Sequence, residues 1–598
     1  MSDRSAKDTG RPSIDRIRKD IESLCQIRDR TPGSKNEKLA GRWIEERLME
    51  MGFDRISKTT TRVCSWEPVS CKVRVTAPVT RDISATMFPY CQSAQVNGVL
   101  TSIDQAGSRN HGMIGVAAWG SQLYLSATRT YYQALKQDFS AVLISCPDNG
   151  SLLKVVVIEG GVLRIPVVSI SKEDGEFLHS LMEKSDVTIE IECRAGIDPN
   201  AETTDLEAVL DGGEEDGLEV CIGAHYDAWF AGAADNAAPV AVVLELANLA
   251  KAHVRSGGSF RRRVRFLFFG AEEAGSPDKY YYWLNGSRAY VESNVASLGK
   301  LAVMLSLDST GFPAPARNII ASSVELSEYA KSVKVSAKIP PNLVYYSPAG
   351  YGSDHWFFET SGVPTLYAVS FPSRLYHTQG DVPENLDYEA IHFYADFMKS
   401  ALQHFADSDL LPIDVFSIFQ RAESLVSEYS RLMGNPFDLG PVLNGLVRLN
   451  SEKKAFDRVV RSVSKQRKVV LVQRLNQFLL ETANRFNRTI GWLWRRPAPP
   501  DVDYLFRLEL IPEYIDLNAS ISALRKMPIV QLDYDTIKRY ESQSDFPYNW
   551  VGVHEPLAKL EEERTRLFRV IEDELHSLSE MLDSVWRQMK ELERLIEP

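Results

Sequence analysis

The sequence has no pair of cysteines at CxxC spacing, and only seven cysteines in 598 residues. Cys25, Cys64, Cys71, Cys91, Cys146, Cys193 and Cys221 are odd in number and scattered. That excludes a disulfide framework and predicts reduced, partly buried thiols. No basic tract is present. Arg261-Arg262-Arg263 directly precedes an apolar run and reads as the flank of a strand. With 68 basic against 80 acidic residues the net charge is −12, which argues against non-specific nucleic-acid binding. No apolar run reaches the roughly 18 residues of a membrane span. The start, MSDRSAKDTGRPS, lacks the apolar region of a secretory signal, so a cytoplasmic location without membrane contact is expected. The sequons at Asn149, Asn285, Asn487 and Asn518 then read as chance matches. There is no internal repeat and no low-complexity tract. What remains is ordinary for a globular chain: 44% hydrophobic and 25% charged residues. At roughly 100–200 residues per domain, the length predicts about three domains.

Along the chain, residues 13–52 read as helical. Ile14, Ile17, Ile21 and Leu24 recur at helical spacing, as do Ala40, Trp43, Ile44 and Leu48, with a break at Thr31-Pro32-Gly33-Ser34. Residues 58–90 alternate and read as strands. Between 91 and 195, short strand-like runs (96–100, 115–118, 141–145, 155–158) are separated by turn residues. The segment Ile165-Pro166-Val167-Val168-Ser169-Ile170-Ser171 then leads into a helix over 173–182. This β-rich insert resembles a protease-associated domain. From 218 to 412 apolar strands (218–224, 264–269, 301–307, 365–369) alternate with helices (237–252, 281–292, 325–337, 354–360, 388–405). That alternation predicts an α/β fold with a mixed, largely parallel sheet flanked by helices. Residues 413–598 read as helical, interrupted by Pro497–Pro500 and by a loop over 542–549. The last helix carries a heptad stripe of Phe568, Ile571, Leu575, Leu578, Leu582, Val585, Met589, Leu592 and Ile596. Packing inside its own bundle and contact with a partner helix both remain open for it. The expected organisation is 1–90 (start of the main domain), 91–195 (insert), 196–412 (catalytic part) and 413–598 (helical, dimerisation-like domain).

Four polar clusters fall at or just beyond the ends of the apolar strands, where open α/β sheets gather their ligands. His225-x-Asp227 follows the first strand, with Asp235 ten positions past His225. A neutral imidazole suits zinc and a nearby carboxylate can fix its tautomer. An aspartate before a helix is also a common N-cap. Glu272-Glu273 follows Phe266-Leu267-Phe268-Phe269-Gly270-Ala271. Two acids beside a buried strand repel unless a cation or a proton compensates. Asp308 ends an otherwise uncharged strand and reads either as a ligand or as a turn residue. His377 lies in Leu375-Tyr376-His377-Thr378-Gln379-Gly380-Asp381. His355, in Ser353-Asp354-His355, reads as an ordinary hydrogen-bonded histidine.

Taken together, GAHYDAWFAGAADNAA, FLFFGAEEAGSPDKYYYWLNGSRAY, LSLDSTG and YGSDHWFFETSGVP…YHTQGDVPENLD resemble the zinc aminopeptidase, glutamate carboxypeptidase and transferrin receptor superfamily. The resemblance implies a zinc exopeptidase fold and two Zn2+ ions acting on a peptide substrate. One ion would take His225, Asp308 and a bridging Asp235. The other would take Glu273, His377 and the same Asp235. Glu272 would be the general base, Asp227 a partner of His225, and Tyr376 a hydrogen-bond donor to the reaction intermediate. A cis peptide after Asp235 is also implied, as is a homodimer through the C-terminal helices.

Glutamate carboxypeptidases of this superfamily hold an acidic substrate with arginines shortly before the last histidine ligand. Here Gly362–Ser370 has no arginine, Ser353 stands where an asparagine is expected, and only Arg374 lies nearby. An aminopeptidase is therefore the favoured reading. The alternatives are a carboxypeptidase or dipeptidase, a zinc enzyme acting on another amide, and a non-catalytic transferrin-receptor-like binding protein. The intact ligand positions weigh against the last.

Overall fold

The computed structural model describes residues 10–107, 110–120, 123–148, 150–213, 216–279, 282–350, 352–466, 468–489, 510–525 and 554–596. Tyr281 and the segments 497–500 and 542–549, read above from sequence, lie outside them.

Helices α1 (Ile14–Cys25) and α2 (Lys35–Glu50) open the chain. Ser13 and Ser34 cap them, each hydroxyl accepting an amide proton from the first turn. Their helically spaced residues Ile17, Ile21, Leu24, Ala40, Ile44 and Leu48 are all buried.

The next stretch builds a second lobe. It comprises β1 (Ile56–Ala77), β2 (Arg81–Ile83), β3 (Ala85–Met87), β4 (Ala94–Ser102), β5 (Ile114–Ala118), α3 (Leu123–Lys136), β6 (Ala141–Ser145), β7 (Val167–Ile170), α4 (Lys172–Met182) and β8 (Thr188–Leu210). The long strands β1 and β8 run antiparallel from Ile56↔Ala208 to Ala77↔Thr188 and join both lobes. Their register shifts beside Pro68, which has no amide proton for the ladder. The lobe has its own core, built from Trp66, Val73, Val75, Phe88, Leu143, Ile144, Val168 and Ile191 among others. Trp66, Val73 and Val75 lie upstream of residue 91. The run 155–158, expected as a strand, is not one. Val155, Val156, Val157 and Ile158 are buried, and Val155 donates its amide proton to His377, in the other lobe.

The main lobe continues with β9 (Glu219–His225), α5 (Ala238–Arg255), β10 (Arg263–Phe269), α6 (Asn285–Ser293), α7 (Val295–Leu298), β11 (Leu301–Leu307), β12 (Arg317–Ser322), α8 (Ser327–Ser332), β13 (Leu343–Tyr346), α9 (His355–Thr360), β14 (Thr365–Phe371) and α10 (Tyr388–Asp407). The sheet order is β13-β12-β14-β11-β9-β10-β8-β4-β5-β6-β7-β3. Strands β14, β11, β9 and β10 are mutually parallel, while β8 and β12 join them antiparallel. Arg262 is fully buried against Asp216 (Nη2–Oδ2 2.7 Å), so the arginine run does flank a strand. The helix expected over 325–337 is shorter. After Ser332 the amides of Ser336 and Ala337 donate to the Asp396 carboxylate on α10 instead of continuing a helical ladder. The segment Ala233–Arg255, which contains α5, is long and apolar enough to cross a membrane by length and composition. Its apolar window is 78% buried inside the protein, as befits a core helix.

The C-terminal part contains α11 (Val415–Tyr429), α12 (Gly440–Ser451), α13 (Lys453–Gln466), α14 (Val469–Thr489), α15 (Leu510–Arg525) and α16 (His554–Ile596). The stripe on α16 is occupied within the chain. Ile571, Leu575, Leu578, Leu582, Val585, Met589 and Leu592 are buried, and α16 packs against α12, α13, α14 and α15. These residues belong to the same continuous core as α1, α5 and α10.

Candidate metal centre

Strands β9, β10, β11 and β14 are parallel, so their C-terminal ends share one edge of the sheet. His225 is the last residue of β9, Glu272 and Glu273 follow β10, Asp308 follows β11 and His377 lies beyond β14. The backbone turns sharply there. Ala271, Ser309 and His377 take φ of 49°, 48° and 56°, a left-handed conformation that costs side chains energy and clusters at functional sites. Asp235 lies in the turn leading into α5, and the bond between Asp235 and Asn236 is cis, as the resemblance implies.

The five expected ligands converge. His225 Nε2 lies 3.4 Å from Asp308 Oδ1 and 3.5 Å from Asp235 Oδ1. His377 Nε2 lies 2.9 Å from Glu273 Oε2 and 3.4 Å from Asp235 Oδ2. The two oxygens of Asp235 thus face different imidazoles. His225, Asp235 and Asp308 form one compact donor set, and Asp235, Glu273 and His377 form another. All five side chains are buried. Glu272 stands beside them, its Oε2 3.8 Å from His225 Nε2.

The donor chemistry fits divalent cations. Four buried carboxylates crowd two imidazoles, and among the described residues no lysine or arginine pairs with any of these carboxylates. Imidazole and carboxylate together suit zinc. Among the described residues Glu273 Oε1 has no hydrogen-bond partner, and neither has His377 Nδ1.

The protonation balance reflects the same crowding. Burial raises the Glu272 carboxyl well above its ordinary value and pushes Glu273 up to about 7, against the pull of the imidazoles. Burial opposes charge on His377 too, yet Glu273 and Asp235 raise it to about 9. His225 is raised by Glu272 and Asp308 despite its burial. Asp308 is also penalised by burial, but His225 and the hydroxyls of Ser353 and Ser309 hold it below the ordinary range.

Supporting groups orient the ligands. Asp227 is fully buried, with Oδ1 3.3 Å from His225 Nδ1. Its two oxygens also accept the amide protons of Glu272 and Glu273, at 3.0 Å each. Asn236 donates to the His225 carbonyl and accepts from the Ser309 amide. Tyr376 stacks on His377, with centroids 3.7 Å apart. His355 stays out of the cluster. It bonds the Gly350 carbonyl and stacks on Tyr367, and burial lowers it to about 4. Arg374 is exposed.

Three contributors were not found from sequence. Asp381 accepts the amide protons of Ala234 and Asp235 and so anchors the shared carboxylate. Trp229 donates to Glu273 Oε2 at 2.8 Å. Tyr124, on α3 of the second lobe, touches Tyr376. Asp381 sits four positions after His377, and its place in that motif was the available signal. Tyr124 had none, because nothing in a sequence shows that a distant helix reaches the site.

Comparison with known proteins agrees with this geometry. Residues 206–402 match the family described as Peptidase family M28. The chain is similar to a Peptidase M28 precursor from Shewanella amazonensis, with 21% identity and a TM-score of 0.53, covering 66% of this chain and 98% of that one. It is also similar to BSAP, a zinc aminopeptidase from Bacillus subtilis, with 20% identity and a TM-score of 0.52, covering 67% of this chain and 96% of that one. No curated protein matches it. The sheet, the strand ends that carry the candidate ligands and the family match coincide in one region, residues 206–402, which are similar to Peptidase family M28.

Proposed function

We propose that this protein is a dizinc aminopeptidase that releases N-terminal residues from peptides, with His225, Asp308 and Asp235 holding one ion and Glu273, His377 and Asp235 the other. The observation that carries the reading is Asp235, whose two oxygens face the two imidazoles from one buried side chain. When bound, the cations supply Lewis acidity and make a coordinated water acidic near neutral pH. Glu272 lies beside His225 and belongs to neither donor set. In its ionised form it takes the proton of the attacking water, and it later delivers that proton to the leaving amine. The Tyr376 hydroxyl donates a hydrogen bond to the carbonyl oxygen as charge builds there. Asp227 keeps His225 in the tautomer that leaves Nε2 free, and it fixes the Glu272 and Glu273 backbone.

A carboxypeptidase of the glutamate type is less well supported, because β14 and the loop after it offer only the exposed Arg374 as a cation for a free carboxylate. The second lobe is read as a protease-associated-like domain. A cytoplasmic location is supported by seven cysteines that are all unpaired. The homodimer rests on the resemblance alone, since the α16 stripe is consumed internally.

The test is a panel of matched peptides with free ends, a blocked N-terminus or a blocked C-terminus. Cleavage should be lost on N-blocking and survive C-blocking. The reverse pattern would turn the reading into a carboxypeptidase.

A further inference from the structure

Tyr124 and Tyr376 stand 252 positions apart in the chain, yet their hydroxyl oxygens are 2.8 Å apart. Tyr124 comes from α3 in the second lobe, and Tyr376 is the neighbour of His377 in the main lobe. The lobes also join through residues 151–155 of the second lobe and 377–379 of the main lobe. Val155 donates its amide proton to the His377 carbonyl at 3.0 Å, and Lys154 pairs with Thr378 as an antiparallel bridge. Gln379 accepts from the Leu153 amide at 2.7 Å and donates to the Ser151 carbonyl at 3.0 Å. The ring of Tyr376 is fixed as well, by stacking on His377 and by the edges of Phe371 and Phe312. Tyr124 meets His377 edge-on, with centroids 6.4 Å apart. Tyr376 is therefore held in place by its ring neighbours, and Tyr124 reaches its hydroxyl from α3.

A phenol carries one proton, so the pair has two arrangements. If Tyr376 donates to Tyr124, its proton is occupied and only lone pairs face the site. If Tyr124 donates to Tyr376, the Tyr376 proton is free and the bond it accepts makes it a stronger donor. Only the second arrangement serves a carbonyl oxygen gaining negative charge.

We propose that Tyr124 is a positioning residue for the peptidase reaction, donating its hydroxyl proton to Tyr376 so that Tyr376 presents its own to the substrate carbonyl. This rests on the proposed function, in which Tyr376 is that donor. It makes the second lobe part of the active site.

The test is a double-mutant cycle of Tyr124→Phe and Tyr376→Phe on the metal-loaded full chain, with metal content and Tm measured alongside. Tyr124→Phe should lower kcat by about 10–100-fold, the range known for outer partners of metal ligands. KM, metal content and Tm should stay near those of the parent. The double variant should be no slower than Tyr376→Phe alone. Full kcat in Tyr124→Phe, a loss confined to KM, or losses that multiply in the double variant would each overturn the proposal while leaving the peptidase reading intact. Full kcat in Tyr376→Phe would remove the role assigned to Tyr376, and the proposal with it.

Discussion

Asp227 serves three groups at once, the imidazole of His225 and the amides of Glu272 and Glu273. The proposed metal ligands and the proposed proton carrier are thus oriented by one buried carboxylate. Glu272 depends on that arrangement, because its neighbour Glu273 points toward His377 while it faces His225. Glu272→Gln keeps the shape and removes the proton acceptor. We expect unchanged metal content and a kcat lower by about 10²–10⁴-fold, the usual contribution of a general base. Near-parental turnover with both metals retained would show that the proton leaves by another route. At this scale the sequence was informative, since the residues flanking each apolar strand are the residues that meet. Asp381 was signalled only by its place in the His377 motif, and its role was not. The carboxylate of Asp381 binds the amides of Ala234 and Asp235, and no side-chain pattern signals such a bond.

At the scale of elements, the parallel strands and their helices were legible because buried strands are apolar throughout and helices repeat at their own period. Two misreadings share a cause. Residues 155–158 are apolar enough for a strand but lie beside the His377 loop, and Ser336 and Ala337 are tied to Asp396, so tertiary partners overrode the local pattern. The α16 stripe left two readings open that only packing could separate. Leu582 is fully buried and packs on Gly445 of α12, where a side chain would bring a Cβ to within 2.9 Å of its Cδ1. Leu582→Ala should therefore cost about 2–5 kcal/mol, the range for a core leucine. Melting should show that loss while the solution mass, measured by light scattering, stays the same. A changed mass with unchanged melting would assign the stripe to a contact between copies.

At the scale of the molecule, the helical C-terminal part is joined to the peptidase lobe rather than tethered to it. Asn487 donates to Glu325 at 2.9 Å, and Arg488 donates to the Ser361 carbonyl at 2.7 Å. Gly362, at φ 99°, sits where a Cβ would lie 2.7 Å from the Asn484 carbonyl oxygen, so only glycine permits this approach. Just beneath, Glu359 is 3% exposed and accepts from Thr365. Burial, with help from Glu325, pushes its carboxyl from 4.5 up to about 8. Between those values the folded chain holds a proton that the unfolded chain has released, so stability falls as pH rises through this window and levels off above it. Glu359→Gln should melt with the parent below the window and above the parent's temperature on its alkaline side. An equal difference at both ends would mean that Glu359 does not titrate there. The two-lobed plan, by contrast, was only partly visible from sequence, because β1 and β8 run through both lobes and no composition change marks where one core gives way to the other.

The most direct test of the whole account is the metal content per chain, measured by inductively coupled plasma mass spectrometry on the zinc-reconstituted protein and on Asp235→Ala. The parent should carry two ions per chain. Removing the carboxylate that faces both imidazoles should bring the content down to one or fewer. A parent that retains no divalent metal, or an Asp235→Ala variant that still holds two ions as tightly, would contradict it.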